Sequence, residues 1–334
     1  MTRRLMLTVA LGACVASPAP AHHSEAAYDA ETVVAFEGTV TRYGWRNPHV
    51  YIGVSVADGS GEPAEWLVET GATPIMVRSG WTPESLVPGD VVTVRAHRDK
   101  QPGRLRAILL SMTKADGTVL AQHDGTPEQP HVRASTLNGV WSGRSETIVS
   151  FNQALNATPL TPVGTAAREQ YDFRRDNPVA SCVGPPAPGI ITAAFLYLSE
   201  IEIGAEIVTI RNEFFDVVRT VHMDARQHPE DGELSNQGHS IGRWEDGTLV
   251  VDTRLFAEHP SANGQSVPSS PEKHVVERYV LSEDGTGLVI DVLLEDPVYL
   301  AEPFEGRLEW QYAPGLRLYQ YNCDPEISRV FTQP

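Results

Sequence analysis

The sequence predicts an all-β protein of two successive antiparallel barrels, a small one of OB type followed by a larger one. Three observations carry that expectation. Short runs rich in β-branched and aromatic residues recur from Val33 to Asn322, each bounded by Gly, Pro, Asn or Asp. Stretches with a helical apolar period are few. A polar run at 125–134, holding two prolines and no apolar period, divides the chain. A chain of 334 residues also exceeds what one small core requires.

The first part, 22–124, gives strand signals at 33–45, 48–56 and 65–69, a helical stretch at 74–79, then strands at 90–96 and 105–113. Three strands, a helix and two strands is the order of an OB-fold. Pro88-Gly89-Asp90 launches the fourth strand and Asp116-Gly117 ends the fifth. The second part, 135–334, gives strands at 194–203, 206–212, 216–223, 240–244, 248–253, 274–281, 287–294, 306–311 and 316–322. One helix is expected at 162–170, with Thr161 as N-cap and Pro162 in its first turn. The Pro- and Ser-rich run 257–272 reads as a long mobile loop, a lid or a solvated excursion.

Charge and cysteines bound the setting. A formal net charge of −17 repels phosphate backbones, so nucleic acid is not an expected partner. Arg3 and Arg4 followed by the apolar run 5–13 read as an export signal at 1–21, too short to span a bilayer. Cleavage after Ala19-Pro20-Ala21 would leave His22-His23-Ser24 in front, in a periplasmic or secreted protein. Lipidation at Cys14 of Leu11-Gly12-Ala13-Cys14 would instead tether the chain to the cell envelope, and both readings stay open. Cys182 and Cys323 remain as an even pair, expected to form a disulfide in an oxidising compartment.

Gly139-x-Trp141 at the head of the second part resembles the first-strand signature of the lipocalin or calycin superfamily. The resemblance implies a calycin-like barrel holding a small, largely apolar molecule, with Trp141 in its wall and Arg317 packed over that tryptophan. His22-His23-Ser24, Trp45-Arg46-Asn47-Pro48-His49 and Gly80-Trp81 are similar to an uncharacterised family of exported bacterial proteins. The run from Gly238 to Thr253 resembles another such family. Neither implies an activity.

Two constellations carry chemistry. An N-terminal histidine chelates Cu(II) through amine and ring nitrogens, so His22, His23 and His49 form a candidate copper site; the alternative is a frayed terminus and a strand-capping histidine. In the second part, Asp246-Gly247 is a two-residue hairpin signal that sets a register. Glu245 then pairs with Thr248 and Ile241 with Asp252, so His239, Ile241, Arg243, Val250, Asp252 and Arg254 share one face. Turned into a cavity, that face would let Asp252 orient His239 as a base while Arg243 steadies a developing anion, as in a cofactor-free isomerase, cyclase or lyase. Turned outward, it would leave Trp244, Leu249 and Val251 to the core and the charges to solvent. His274, Glu277 and Asp291 lie on later strands whose faces the sequence does not fix. No Gly-x-Ser-x-Gly elbow, phosphate loop, zinc-type cysteine pair or calcium loop occurs.

Overall fold

The computed structural model describes residues 27–57, 63–122, 132–224, 227–326 and 328. The signal segment with Cys14, His22 and His23, and most of the linker at 125–134, lie outside the described residues. The rest is all-β, in two barrels.

In the small barrel, β1 (Tyr28–Gly44) pairs with β2 (Tyr51–Val56) along one edge and β4 (Val91–Asp99) along the other. β2 pairs with β3 (Ala64–Glu69), which runs parallel to β5 (Arg106–Lys114), and β5 returns to β4, closing the ring in the order 1-2-3-5-4. α1 (Thr73–Arg78) fills the link from β3 to β4, as an OB-like order requires. A short β6 (Val119–Ala121) extends β5 beyond the expected five strands. Inward alternation buries Ile52, Val54, Val68, Val94 and Met112 around Met76 and Trp81. Trp81 is satisfied there by donating its Nε1–H to the Ala121 carbonyl at 2.9 Å.

The larger barrel closes through nine strands: β7 (Gly139–Gly143), β8 (Ser199–Ile203), β9 (Ile207–Asn212), β10 (Val217–His222), β11 (His239–Glu245), β12 (Thr248–Arg254), β13 (His274–Leu281), β14 (Gly287–Glu295) and β15 (Phe304–Tyr312). Neighbours are antiparallel except β10 and β11, which pair parallel at only two positions, Val221 with Ser240 and His222 with Ile241. The 223–238 link must therefore cross over the outside of the barrel.

Helix is more abundant than expected. α3 (Pro162–Gln170) starts as predicted, with the Thr161 hydroxyl accepting from Gly164 N at 3.0 Å. Ahead of it lies α2 (Ser145–Ala157), whose Ile148, Phe151 and Leu155 form one buried stripe against β15. Phe151 meets Phe304 edge-on with ring centres 5.0 Å apart.

Two expectations are corrected. The 316–322 segment is not a strand, because carboxylates claim its backbone amides: Tyr319 N donates to Glu213 at 2.8 Å, and Tyr321 N and Asn322 N donate to Asp216 at 2.7 and 2.9 Å. It runs instead as a strap between the barrels, and the expected disulfide joins its Cys323 to Cys182. The 257–272 run is not a free loop. Asp296, 1% exposed, pins it through Asn263 Nδ2 at 2.7 Å, Ser270 N at 2.8 Å and Ser270 Oγ at 2.8 Å.

The barrels meet where α1 presses Ala72 and Ile75 against Tyr197 and Tyr321, with Phe214 and Phe215 alongside. In that apolar seam Arg78 Nη1 reaches both oxygens of Glu213, at 2.9 and 2.8 Å, while Nη2 donates to the Leu196 carbonyl at 2.8 Å. Removing the guanidinium strands a carboxylate with 0% side-chain exposure. Arg78→Leu is therefore expected to cost about 3–5 kcal/mol in denaturant unfolding; a loss below about 1 kcal/mol would show that the seam does not depend on the pair.

Candidate functional site

The site begins at the β11–β12 hairpin. Asp246 and Gly247 adopt φ of 47° and 85°, the pair of positive angles that a tight primed turn needs. The observed register matches the one read from sequence, from Glu245↔Thr248 through Ile241↔Asp252 to His239↔Arg254. Leu249 and Val251 are fully buried in the main core, so Asp252, Arg254 and His239 face outward. The polar face is thus the outer wall of the barrel.

On that wall five strands and the crossing link bring together His222, His228, His239, Asp252, Arg254, His274 and Glu295. Asp252 Oδ1 is 3.1 Å from His228 Nε2 and 3.0 Å from His274 Nε2. The other nitrogen of His228, Nδ1, is 2.9 Å from His239 Nδ1. His274 Nδ1 lies 2.8 Å from Glu295 Oε2 and 3.1 Å from an Arg254 nitrogen. His222 stacks on His239 with ring centres 5.0 Å apart and planes 10° from parallel. The link is anchored by Asn236 Nδ2 donating to Gly184 O at 2.7 Å and Gln237 Nε2 to Pro185 O at 3.1 Å. It leaves the side chains of His228 and Asp252 only 14% and 25% exposed.

Protons can be assigned along this chain. Asp252 accepts, so His228 carries hydrogen on Nε2, and when neutral it offers the lone pair of Nδ1. His239 must then donate from Nδ1, which leaves its own lone pair on Nε2. Burial, helped by His228 and His222, lowers the His239 pKa below the usual 6.5, favouring the neutral base. Burial alone would raise the Asp252 pKa, but hydrogen bonds from His274 and His228 outweigh it and hold the carboxyl at about 2. At His274 burial, which depresses, is overcome by the same bond to Asp252 and by Glu295, so its pKa is raised.

Arg243, expected beside Asp252, is not part of the cluster. It pairs with Glu245 at 2.6 Å and is exposed, because four residues of strand carry it about 13 Å from His239. Arg254, directly opposite His239, stands where that guanidinium was expected. His228 was missed because a crossing link has no readable register, and Glu295 because its strand position followed no turn that fixes one.

The other expected residues are dispersed. Trp141 is buried and donates to Leu137 O at 3.0 Å, and its ring partner is Tyr312 at 5.0 Å. Arg317 lies over Tyr319 instead. One recess on the inner side of the barrel, lined by Ile190, Ile191, Ile210, Tyr279 and Trp310 among others, leaves room for roughly one water molecule. Glu277 faces inward, 0% exposed, taking bonds from Arg219 at 3.0 Å and Tyr279 at 2.8 Å, whereas Asp291 is outward with Arg307 at 2.6 Å. His49 sits in the small barrel, Nδ1 3.0 Å from Thr70 O. Among the described residues no group of three His, Cys, Asp or Glu is arranged to hold a metal ion, and no helix is long and apolar enough to cross a membrane.

Residues 11–106 match a family described as a family of unknown function (DUF6152). No curated protein matches the chain. Among solved structures, a point mutant of the fluorescent protein UnaG is similar over 53% of this chain and 95% of its own, at 11% identity and a TM-score of 0.25.

The hydrogen bonds to Asp252 predict an acid-side signature. A depressed carboxyl pKa contributes stability above its ordinary value of 3.8 that is lost as pH falls through about 2. Carbon-13 titration of the Asp252 carboxyl is expected to show a midpoint near 2, moving up toward 3.8 in His274→Leu. An unmoved midpoint in that variant would contradict the assigned bond.

Proposed function

We propose that this chain is an exported catalyst of proton transfer that works on a small carbon acid at the outer wall of the larger barrel, without a cofactor. One observation carries the reading: the unbroken series Asp252, His228, His239, with gaps of 3.1 and 2.9 Å. His239 is the base, taking a proton from substrate carbon at Nε2. The charge it acquires is shared through Nδ1 with His228 and offset by Asp252, which orients the pair and stays ionised. Arg254 supplies the positive charge that a developing carbanion or enolate needs. Only the class of chemistry, an isomerisation or elimination begun by deprotonation, follows from these groups.

The same reading places the small-molecule partner outside the barrel. The recess beside Arg219, Tyr279 and Trp310 has room for roughly one water molecule, and Glu277 pairs with Arg219 next to it. Export is supported by the Cys182–Cys323 bridge, which suits a non-reducing compartment. Whether the protein is free in the periplasm or tethered through Cys14 does not alter the chemistry.

Ring opening of 5-nitrobenzisoxazole, a generic test of proton abstraction from carbon, addresses the assignment. The wild-type rate is expected to rise with pH through a midpoint below 6.5, the ordinary histidine value. His239→Gln, which keeps the size and the donor, should lose about 10²–10⁴-fold, as removal of a general base does. Equal rates in wild type and variant would sink the reading.

A further inference from the structure

The 257–272 run covers a set of buried polar groups that the relay does not use. His259 and Ser269 face each other across it, with Ser269 N donating to the His259 carbonyl at 2.8 Å, and beyond them Ala262 N donates to the Val267 carbonyl at 2.9 Å. Near the tip, Gln265 N donates to Asn156 Oδ1 of α2 at 2.6 Å. The run is thus a flap, fastened at its tip on α2 and at its base on Asp296.

Beneath it lies Lys273, 1% exposed. Its Nζ donates to the Ala262 carbonyl at 3.2 Å and sits 5.0 Å from the centre of the Phe256 ring. An ammonium has three hydrogens to place, and one buried away from water gives up its charge readily. The charged and titratable groups around it are His259 of the flap, Arg219 of β10, Glu277 of β13 and Asp296 just past β14. Arg219 and Glu277 bond to each other, while the oxygens of Asp296 accept from Asn263 and Ser270 of the flap. Burial, opposed by Asp296 and Glu277 and aided by Arg219, brings the Lys273 pKa down to about 7.

The flap carries further unmet bonds. Ser261 N donates to His259 Nδ1 at 3.2 Å, so the ring hydrogen is on Nε2, which is buried and has no protein acceptor. Asn263 Oδ1 and Ser269 Oγ are buried without a protein partner as well. Opening would let water fill all three and solvate a charged amine, so a shut flap and an ammonium at Lys273 oppose each other.

We propose that a proton taken up at Lys273 releases the flap, which stays shut over the neutral amine. In the open state the amine holds its proton up to the ordinary 10.5, and in the shut state only below about 7. Opening therefore binds a proton across that window, and each pH unit downward through it raises the opening constant about tenfold. Below 7 both states are charged and the dependence levels off. His259, lowered by burial and by Lys273 to about 4, adds a second rise as pH falls from 6.5 to 4.

Amide hydrogen exchange of the full chain between pH 9 and pH 7, corrected for the intrinsic exchange rate, reads the opening. The Ala262, Asn263 and Ser269 amides are expected to exchange faster than those of Ile290 and Val292 in β14, and to lose about 100-fold in protection from pH 9 to pH 7. Lys273→Met, similar in length and uncharged, should remove that slope. Asp296→Asn, which weakens the base of the flap, should lower protection at every pH and keep the slope. Circular dichroism checks that each variant folds. Should Lys273→Met unfold, the wild-type slope decides alone. A flat wild-type profile, an unaltered slope in Lys273→Met, or flap amides no faster than those of β14 would overturn the proposal.

Discussion

Glu213 is the interaction on which the two-barrel arrangement turns. Its carboxylate takes two bonds from Arg78 of the small barrel, one from Leu198 N at the start of β8 and one from Tyr319 N of the strap. A buried charge is tolerated only when its lone pairs are filled and its charge is matched, and here three separate pieces of chain do both. Burial still pushes its pKa up despite Arg78, so the pair holds the parts in place more than it adds net stability. Asp216, three residues on, takes two further strap amides, and the disulfide closes the same strap onto 182.

With the strap and the turns around Gly184 fixed, the 223–238 link has firm anchors from which to cross the outer wall. That crossing is what creates a site. A barrel wall of alternating residues normally presents isolated polar groups to water; the link adds His228 above Asp252 and partly excludes solvent from both. Shielding strengthens the hydrogen bonds and separates the titrations, with Asp252 and His239 pushed down and His274 up. The interior took the other course. Arg219, Glu277 and Tyr279 pair with one another among apolar side chains.

Much of this was legible. Short β-rich runs bounded by turn residues placed thirteen of the strands, and Asp246-Gly247 fixed the register that puts His239 opposite Arg254. What failed did so for physical reasons. Sharing a face did not bring Arg243 to Asp252's partners, because strand rise separates what alternation aligns. The 316–322 run has a strand's composition, yet its amides went to carboxylates distant in sequence, a contest that local pattern does not record. In α2 the Ile148, Phe151, Leu155 stripe was present but sits among β-branched and polar residues that read equally as extended chain. His228 depended on the path of a crossover, which no turn chemistry sets.

The central claim is the direction of the protons between Asp252 and His239, and nitrogen-15 NMR of the histidine side chains at neutral pH reads it directly. The account predicts His228 protonated on Nε2 and His239 protonated on Nδ1, with an unprotonated Nε2 on His239 that remains neutral below the usual histidine range. A His239 ring protonated on Nε2, or one that titrates above 6.5, would contradict it.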